Sequence, residues 1–106
     1  MSILNNFRLD GKVAVITGAG KGIGAAIAKA FAEAGADVVN GARTQADLES
    51  VAKEVEAMGQ RALVVPTDVL DFAQLQNLAD RAIQEFGRID IVVNNAGGFP
   101  PKPVSQ

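Results

Sequence analysis

The run Thr17-Gly18-Ala19-Gly20-Lys21-Gly22-Ile23-Gly24 is the stretch whose composition and spacing most directly suggest chemistry. Glycine lets backbone N–H groups come close to an anion, and the N-terminus of a following helix adds a favourable dipole. The chemistry this predicts is cradling of a dinucleotide pyrophosphate. The competing reading is a tight strand-to-helix turn that needs small residues and binds nothing. The position of the run, after an apolar segment and at the opening of a helical pattern, favours the phosphate reading. It is not a Walker A loop, because Gly22 follows Gly20-Lys21 where Ser or Thr is required. Nor is it G-x-G-x-x-G counted from Gly18, since position 23 is Ile.

Such a loop needs a strand to deliver the chain and a helix to receive it. Residues 12–17 (KVAVIT) form a short run rich in branched residues, the signature of a buried strand. After the glycines, Ile23, Ile27, Ala30, Phe31 and Ala34 recur at helical steps up to Gly35. Residues 37–42 read as a second strand. Thr44 is placed to cap a second helix, with Asp47 in a capping-box-like position. Leu48, Val51, Val55 and Met58 form that helix's apolar face, and Gly59 ends it. Residues 61–66 read as a third strand. Asp71, with Gln74 at the matching position, opens a third helix with the stripe Phe72, Leu75, Leu78, Ala79, Ala82, Ile83 and Phe86, ended by Gly87. Residues 89–93 read as a fourth strand, and the Gly- and Pro-rich residues 94–106 as a loop.

Strands alternating with helices imply an α/β fold with a parallel sheet. Right-handed crossovers give the strand order 3-2-1-4, with the first two helices on one face and the third on the other. The switch point lies between strands one and four, and ligands bind there, beyond the carboxyl ends of the strands. Residues 18–24 and 94–97 wall that crevice. The fourth strand leaves an apolar edge exposed, so the doubly wound, Rossmann-type sheet reads as incomplete.

Composition narrows the chemistry. The chain has 106 residues, with 10 Lys+Arg against 12 Asp+Glu and a net charge of −2. One domain is the limit at this length, and a slightly acidic balance argues against a nucleic-acid surface. Without Cys or His, disulfides, thiolate zinc sites and Ser-His-Asp triads are excluded. The first ten residues carry no apolar run of signal-peptide length, and no segment reads as membrane-spanning. A soluble, cytoplasmic chain with no membrane partner is expected.

Three segments, each at a strand end and in order, carry a family resemblance: T-G-x-x-x-G-x-G at residues 17–24, Asp68-Val69, and Asn94-Asn95-Ala96-Gly97. Together they resemble the short-chain dehydrogenase/reductases over essentially the whole chain. Residues 94–98 and 101–103 look most like the bacterial hydroxysteroid dehydrogenases. The resemblance implies a nicotinamide-dinucleotide site. Gly18, Gly22 and Gly24 would form the pyrophosphate turn, with Ile23 nearby. Asp68 would accept from the adenine amino group, and Val69 would line the ring by its backbone. Asn95, Ala96 and Gly97 would run beside the adenosine ribose. On residue type alone, Asp68 serves equally well as a turn or cap residue, and Asn94-Asn95 reads better as a post-strand turn.

The end of the second strand bears on which cofactor. Sheets that bind NAD place an acid there, bonded to the ribose 2′-hydroxyl. Here Ala42 takes that position and Arg43 follows. A guanidinium can fork onto a 2′-phosphate that an Asp would repel, and Lys21 adds a second cation on the same side. Both cations appear in NADP-preferring members of the family. NADP(H) is therefore expected over NAD(H), the alternative being that Arg43 is only a solvated post-strand residue.

The family's acid/base is a Tyr in a Tyr-x-x-x-Lys pair, helped by a Ser. This chain has no Tyr, and Ser2, Ser50 and Ser105 match nothing in that pattern. The expectation is the cofactor-binding half of a hydride-transferring oxidoreductase acting on a small carbonyl or alcohol. The chain carries no catalytic residue of its own and is inactive alone, and the full-length protein is a homo-oligomer. The alternative is a non-catalytic dinucleotide-binding or interaction module of this length, for which Pro100-Pro101-Lys102-Pro103 would offer a PxxP ligand.

Overall fold

The computed structural model describes residues 8–18 and 22–95. Its elements alternate as β1 (Val13–Thr17), α1 (Gly22–Glu33), β2 (Asp37–Ala42), α2 (Gln45–Ala57), β3 (Ala62–Pro66), α3 (Phe72–Phe86) and β4 (Ile91–Asn94). The strands form one four-stranded sheet in the order β3-β2-β1-β4. All three pairings are parallel, and Val15 pairs with both Val39 of β2 and Val92 of β4.

The unbroken apolar run of β1 follows from its central place, since all five of its residues are buried. Successive side chains point to opposite faces, and two cores result. Ile16 and Val38 pack with Ala28 and Ala32 of α1 and with Leu48, Val51 and Val55 of α2. Val13, Val15, Val39 and Val65 pack on the other face with Leu78 and Ala82 of α3. The strand order and the division of helices between faces are those expected from the sequence.

Five local expectations need correction. In α1 the residues against the sheet are Gly24, Ala28 and Ala32, small enough for close approach, while Ile27, Phe31 and Ala34 of the expected stripe are only half-buried and Ile23 and Ala30 are exposed. Thr44 occupies the N-cap of α2, but its hydroxyl makes no capping hydrogen bond. Met58 is the C-cap of α2 and is 44% exposed, so Ala52 fills out the buried face instead. In α3 only Leu78 and Ala82 are buried, while Phe72 (78%) and Ile83 (48%) stand exposed. These two, eleven residues apart, lie nearly in line on the helix at the margin of an apolar arc wider than the sheet covers. Strands three and four begin later than their sequences suggest, because a carboxylate substitutes for backbone at each start. The Arg61 N–H donates to Asp37 Oδ1 (2.8 Å), and the Val13 N–H to Asp90 Oδ2 (2.8 Å).

The Arg61 guanidinium also clasps Asp37 Oδ2 at 2.7 Å and lies 4.5 Å from the centre of the Phe86 ring, tying β2, β3 and α3 together. No helix among the described residues is long and apolar enough to cross a membrane.

Candidate functional site

At the carboxyl ends of the strands, hydrogen bonds run across all four. Thr17 ends β1, and its hydroxyl donates to Asn94 Oδ1 (3.0 Å) while accepting from the Asn95 N–H (3.1 Å). Next along the chain, the Gly18 N–H donates to the Gly41 carbonyl of β2 (2.6 Å). The Ala42 carbonyl in turn accepts from the Thr67 N–H (2.7 Å). Thr67 is buried, immediately before Asp68. The candidate residues of four strand ends are thus held in one row.

The glycines are required by space and conformation. Gly18 and Gly22 have positive φ, +69° and +56°, a region that favours glycine. Gly24 opens α1 under a close ceiling. A Cβ there would run into the Gly18 carbonyl oxygen and would lie 2.8 Å from Asn95 Nδ2. The first turn of α1 can therefore approach the β1–α1 turn and Asn95 only without a side chain. Ile23 beside it is 71% exposed.

On the far side of the row, Asp68 Oδ1 accepts from the Leu70 N–H (3.0 Å). That is the turn role its residue type allowed, and it leaves Oδ2 without a partner among the described residues. The neighbouring Val69 N–H is likewise free there. An acceptor beside a donor is the complement of an adenine edge, which offers an amino donor next to a ring-nitrogen acceptor. Arg43 follows β2, is exposed, and makes no hydrogen bond or ion pair among the described residues. A free guanidinium there fits a phosphate. The space above Gly24, the open donor–acceptor pair and the free cation fit a phosphorylated dinucleotide in their types. Lys21, Ala96 and Gly97 lie outside the described residues, as does the Pro-rich stretch. Of the loop expected over residues 94–106, Asn94 instead ends β4, because it pairs with Thr17, and residues 96–106 lie outside the described residues.

Residues 12–106 match the family described as short chain dehydrogenase. The chain belongs to that family. An uncharacterised oxidoreductase of Mycobacterium tuberculosis is 54% identical to this chain over 99 residues, which are 93% of this chain and 38% of that protein. The 7alpha-hydroxysteroid dehydrogenase of Escherichia coli is 48% identical, again over 93% of this chain and 39% of the relative. A solved 7 alpha-hydroxysteroid dehydrogenase, complexed with NADH and 7-oxo glycochenodeoxycholic acid, superposes with a TM-score of 0.88 at 45% identity, covering 100% of this chain and 42% of that one. A short-chain type dehydrogenase/reductase from Mycobacterium marinum gives a TM-score of 0.87 at 43% identity, covering 99% and 42%. The chain thus spans about two fifths of the length of the curated relatives it matches.

Residue type alone does not single out Thr17, Gly41, Thr67 or Gln74. Thr17 stood in the quoted motif with no role, although a hydroxyl ending an otherwise apolar strand is a readable signal. Gly41 and Thr67 act through backbone groups, which residue type does not reveal. Gln74 read only as a helix-start residue, yet its Oε1 accepts from the Asp68 N–H (2.8 Å).

Proposed function

We propose that this chain is the cofactor-binding half of an NADP(H)-dependent oxidoreductase that moves a hydride between the nicotinamide and a small carbonyl or alcohol substrate. The observation that carries the cofactor preference is the end of β2. Ala42 stands where NAD-binding sheets place an acid, and the exposed Arg43 beside it has no partner among the described residues. Residues 1–106 act as one dinucleotide-binding unit. Gly18, Gly22 and Gly24, with Ile23 beside them, take the pyrophosphate turn. Asp68 and Val69 take the adenine, Arg43 and Lys21 the 2′-phosphate, and Asn95, Ala96 and Gly97 line the ribose.

The bound dinucleotide would supply the hydride. The chain's own groups bind and orient it. No Tyr is present to move a proton to or from the substrate oxygen, so the 106-residue chain binds NADPH without turning over a carbonyl. In the whole protein, assembly into a homo-oligomer accompanies this activity.

The second reading is NAD(H). It is favoured by the solved neighbour complexed with NADH, which is 45% identical to this chain. Calorimetric titration with NADPH and NADH separates the two. A guanidinium on a phosphate contributes about 1.5–3 kcal/mol, roughly ten- to a hundredfold in affinity. NADPH is expected to bind tighter by that factor, and Arg43→Asp to invert the order. Equal affinities in the parent chain, or an unchanged ratio in the variant, would overturn the NADP(H) reading.

A further inference from the structure

We infer that Gln74, on the first turn of α3, is a positioning residue that sets the chain's selectivity for adenine. The inference rests on the proposed reading of Asp68 and Val69 as the adenine contacts. Gln74 Oε1 accepts from the Asp68 N–H at 2.8 Å, and its Nε2 donates to Asp71 Oδ2 at 3.1 Å. Asp71 is itself fixed. Its N–H donates to the Asp68 carbonyl (3.0 Å), and its Oδ1 caps the Ala73 N–H (3.0 Å). One amide side chain thus fastens the backbone of Asp68 to the start of a 15-residue helix.

The consequence falls on the two groups left open. Base selectivity needs the Asp68 carboxylate oxygen and the Val69 N–H at a set separation and direction, because hydrogen bonds weaken steeply with misalignment. Asp68 is anchored on one side by buried Thr67, whose hydroxyl donates to the Val65 carbonyl (2.8 Å) and whose N–H donates to Ala42. Gln74 supplies the side-chain anchor on the other. Neither Leu70 (81% exposed) nor Phe72 (78%) buries the loop against the core. With the Gln74 amide gone, the Thr67–Asp68 peptide loses its N–H tie. On that side the Asp68 carboxylate and the Val69 N–H are then held only by the Asp68 carbonyl on the Asp71 N–H and by Oδ1 on the Leu70 N–H. The donor–acceptor match relaxes while the phosphate contacts remain.

The test compares two nucleotides that differ at one edge. Hypoxanthine carries a carbonyl oxygen where adenine has its amino group, and a ring N–H where adenine has its acceptor nitrogen. It therefore mismatches both Asp68 and Val69. Affinities for NADPH and for its hypoxanthine analogue are measured by calorimetry in the parent chain, in Gln74→Met and in Gln74→Glu. Methionine keeps the length and helix propensity of the side chain and removes only the amide. Glutamate keeps an acceptor for the Asp68 N–H. The parent chain is expected to prefer the adenine form about tenfold, as one or two hydrogen bonds allow. Gln74→Met should bring that ratio below about threefold, and Gln74→Glu should retain it. A purely structural role for Gln74 would weaken both nucleotides alike and leave the ratio where it was. Selectivity in the parent chain that persists in Gln74→Met overturns the role of Gln74 alone. So does its loss in Gln74→Glu, which would show that an acceptor on the Asp68 N–H is not what sets the selectivity. No selectivity in the parent chain overturns the adenine reading of Asp68 and Val69, and the inference with it.

Discussion

The Thr17 hydroxyl accepts from the Asn95 N–H at 3.1 Å, joining residues 78 positions apart across the crevice between β1 and β4. Thr17 is buried and Asn95 half-buried, so this bond is partly shielded from solvent. Because the same hydroxyl donates to Asn94 Oδ1, one side chain sets both the backbone and the side chain that leave β4. The Asn95 amide in turn lies against Gly24 at the mouth of α1.

Removing that hydroxyl while keeping its volume should loosen the β4 end. Thr17→Val leaves the half-buried Asn95 N–H without its acceptor, which costs about 1 kcal/mol. Urea denaturation is expected to show that loss, with Thr17→Ser recovering most of it. A Thr17→Val midpoint equal to the parent's would contradict the bridging role.

Gly24→Ala reverses the usual helix preference. Alanine normally stabilises a helix interior by about 1 kcal/mol relative to glycine. Here its methyl group would meet the Gly18 carbonyl and Asn95 Nδ2, and overpacking costs about 1–3 kcal/mol. Thermal unfolding of the variant should fall below the parent's, together with its affinity for NADPH. A rise in midpoint with binding intact would show that the ceiling over Gly24 gives way.

Much of this was legible from residue types and spacing, for identifiable reasons. β1 carries a continuous apolar run because both its faces are covered, whereas the helical period marked α1 as a helix without finding its buried face, which is Gly24, Ala28 and Ala32 and not the exposed Ile23 and Ala30. The strand order followed from handed crossovers. The margins were not legible. An apolar stripe from Phe72 to Phe86 marks a helix face, but how much of that face is covered depends on how far the sheet extends beneath it. Likewise, the carboxylates of Asp37 and Asp90 displace the starts of β3 and β4, and no alternation pattern registers a side chain acting as backbone. In the site, glycines were readable because a positive φ restricts residue choice. The ties through the Gly41 and Ala42 carbonyls were not, since any residue has a carbonyl.

Acid should act on the β1–β4 seam. The Arg88 guanidinium first, and then the Val13 N–H, hold the Asp90 carboxyl below the usual carboxylate range. A group whose pKa is lower folded than unfolded stabilises fully above its unfolded value, about 3.9, and loses that contribution as pH falls through the folded one. In a pH series of urea midpoints, Asp90→Asn should therefore start lower at pH 7 and decline less steeply below about pH 4. Parallel curves would show that Asp90 contributes nothing to the acid response.

Asn40 is fully buried in β2, between Ile16 and Val64, and neither of its amide atoms has a partner among the described residues. A buried, unpartnered amide costs about 1–3 kcal/mol. Asn40→Val should recover part of that, raising the thermal midpoint by about 4–8 °C per kcal/mol for a chain of this size. A lowered midpoint would mean that the amide does have a use at this position.

The central claim is that these residues hold the adenosine half of the dinucleotide. The most direct measurement is calorimetric titration of the chain with 2′-phospho-ADP-ribose, which lacks nicotinamide, beside NADPH. The account predicts affinities within about threefold of each other, since a factor of ten would require 1.4 kcal/mol from the nicotinamide end. Binding that needs the nicotinamide, or no binding of either ligand, would contradict it.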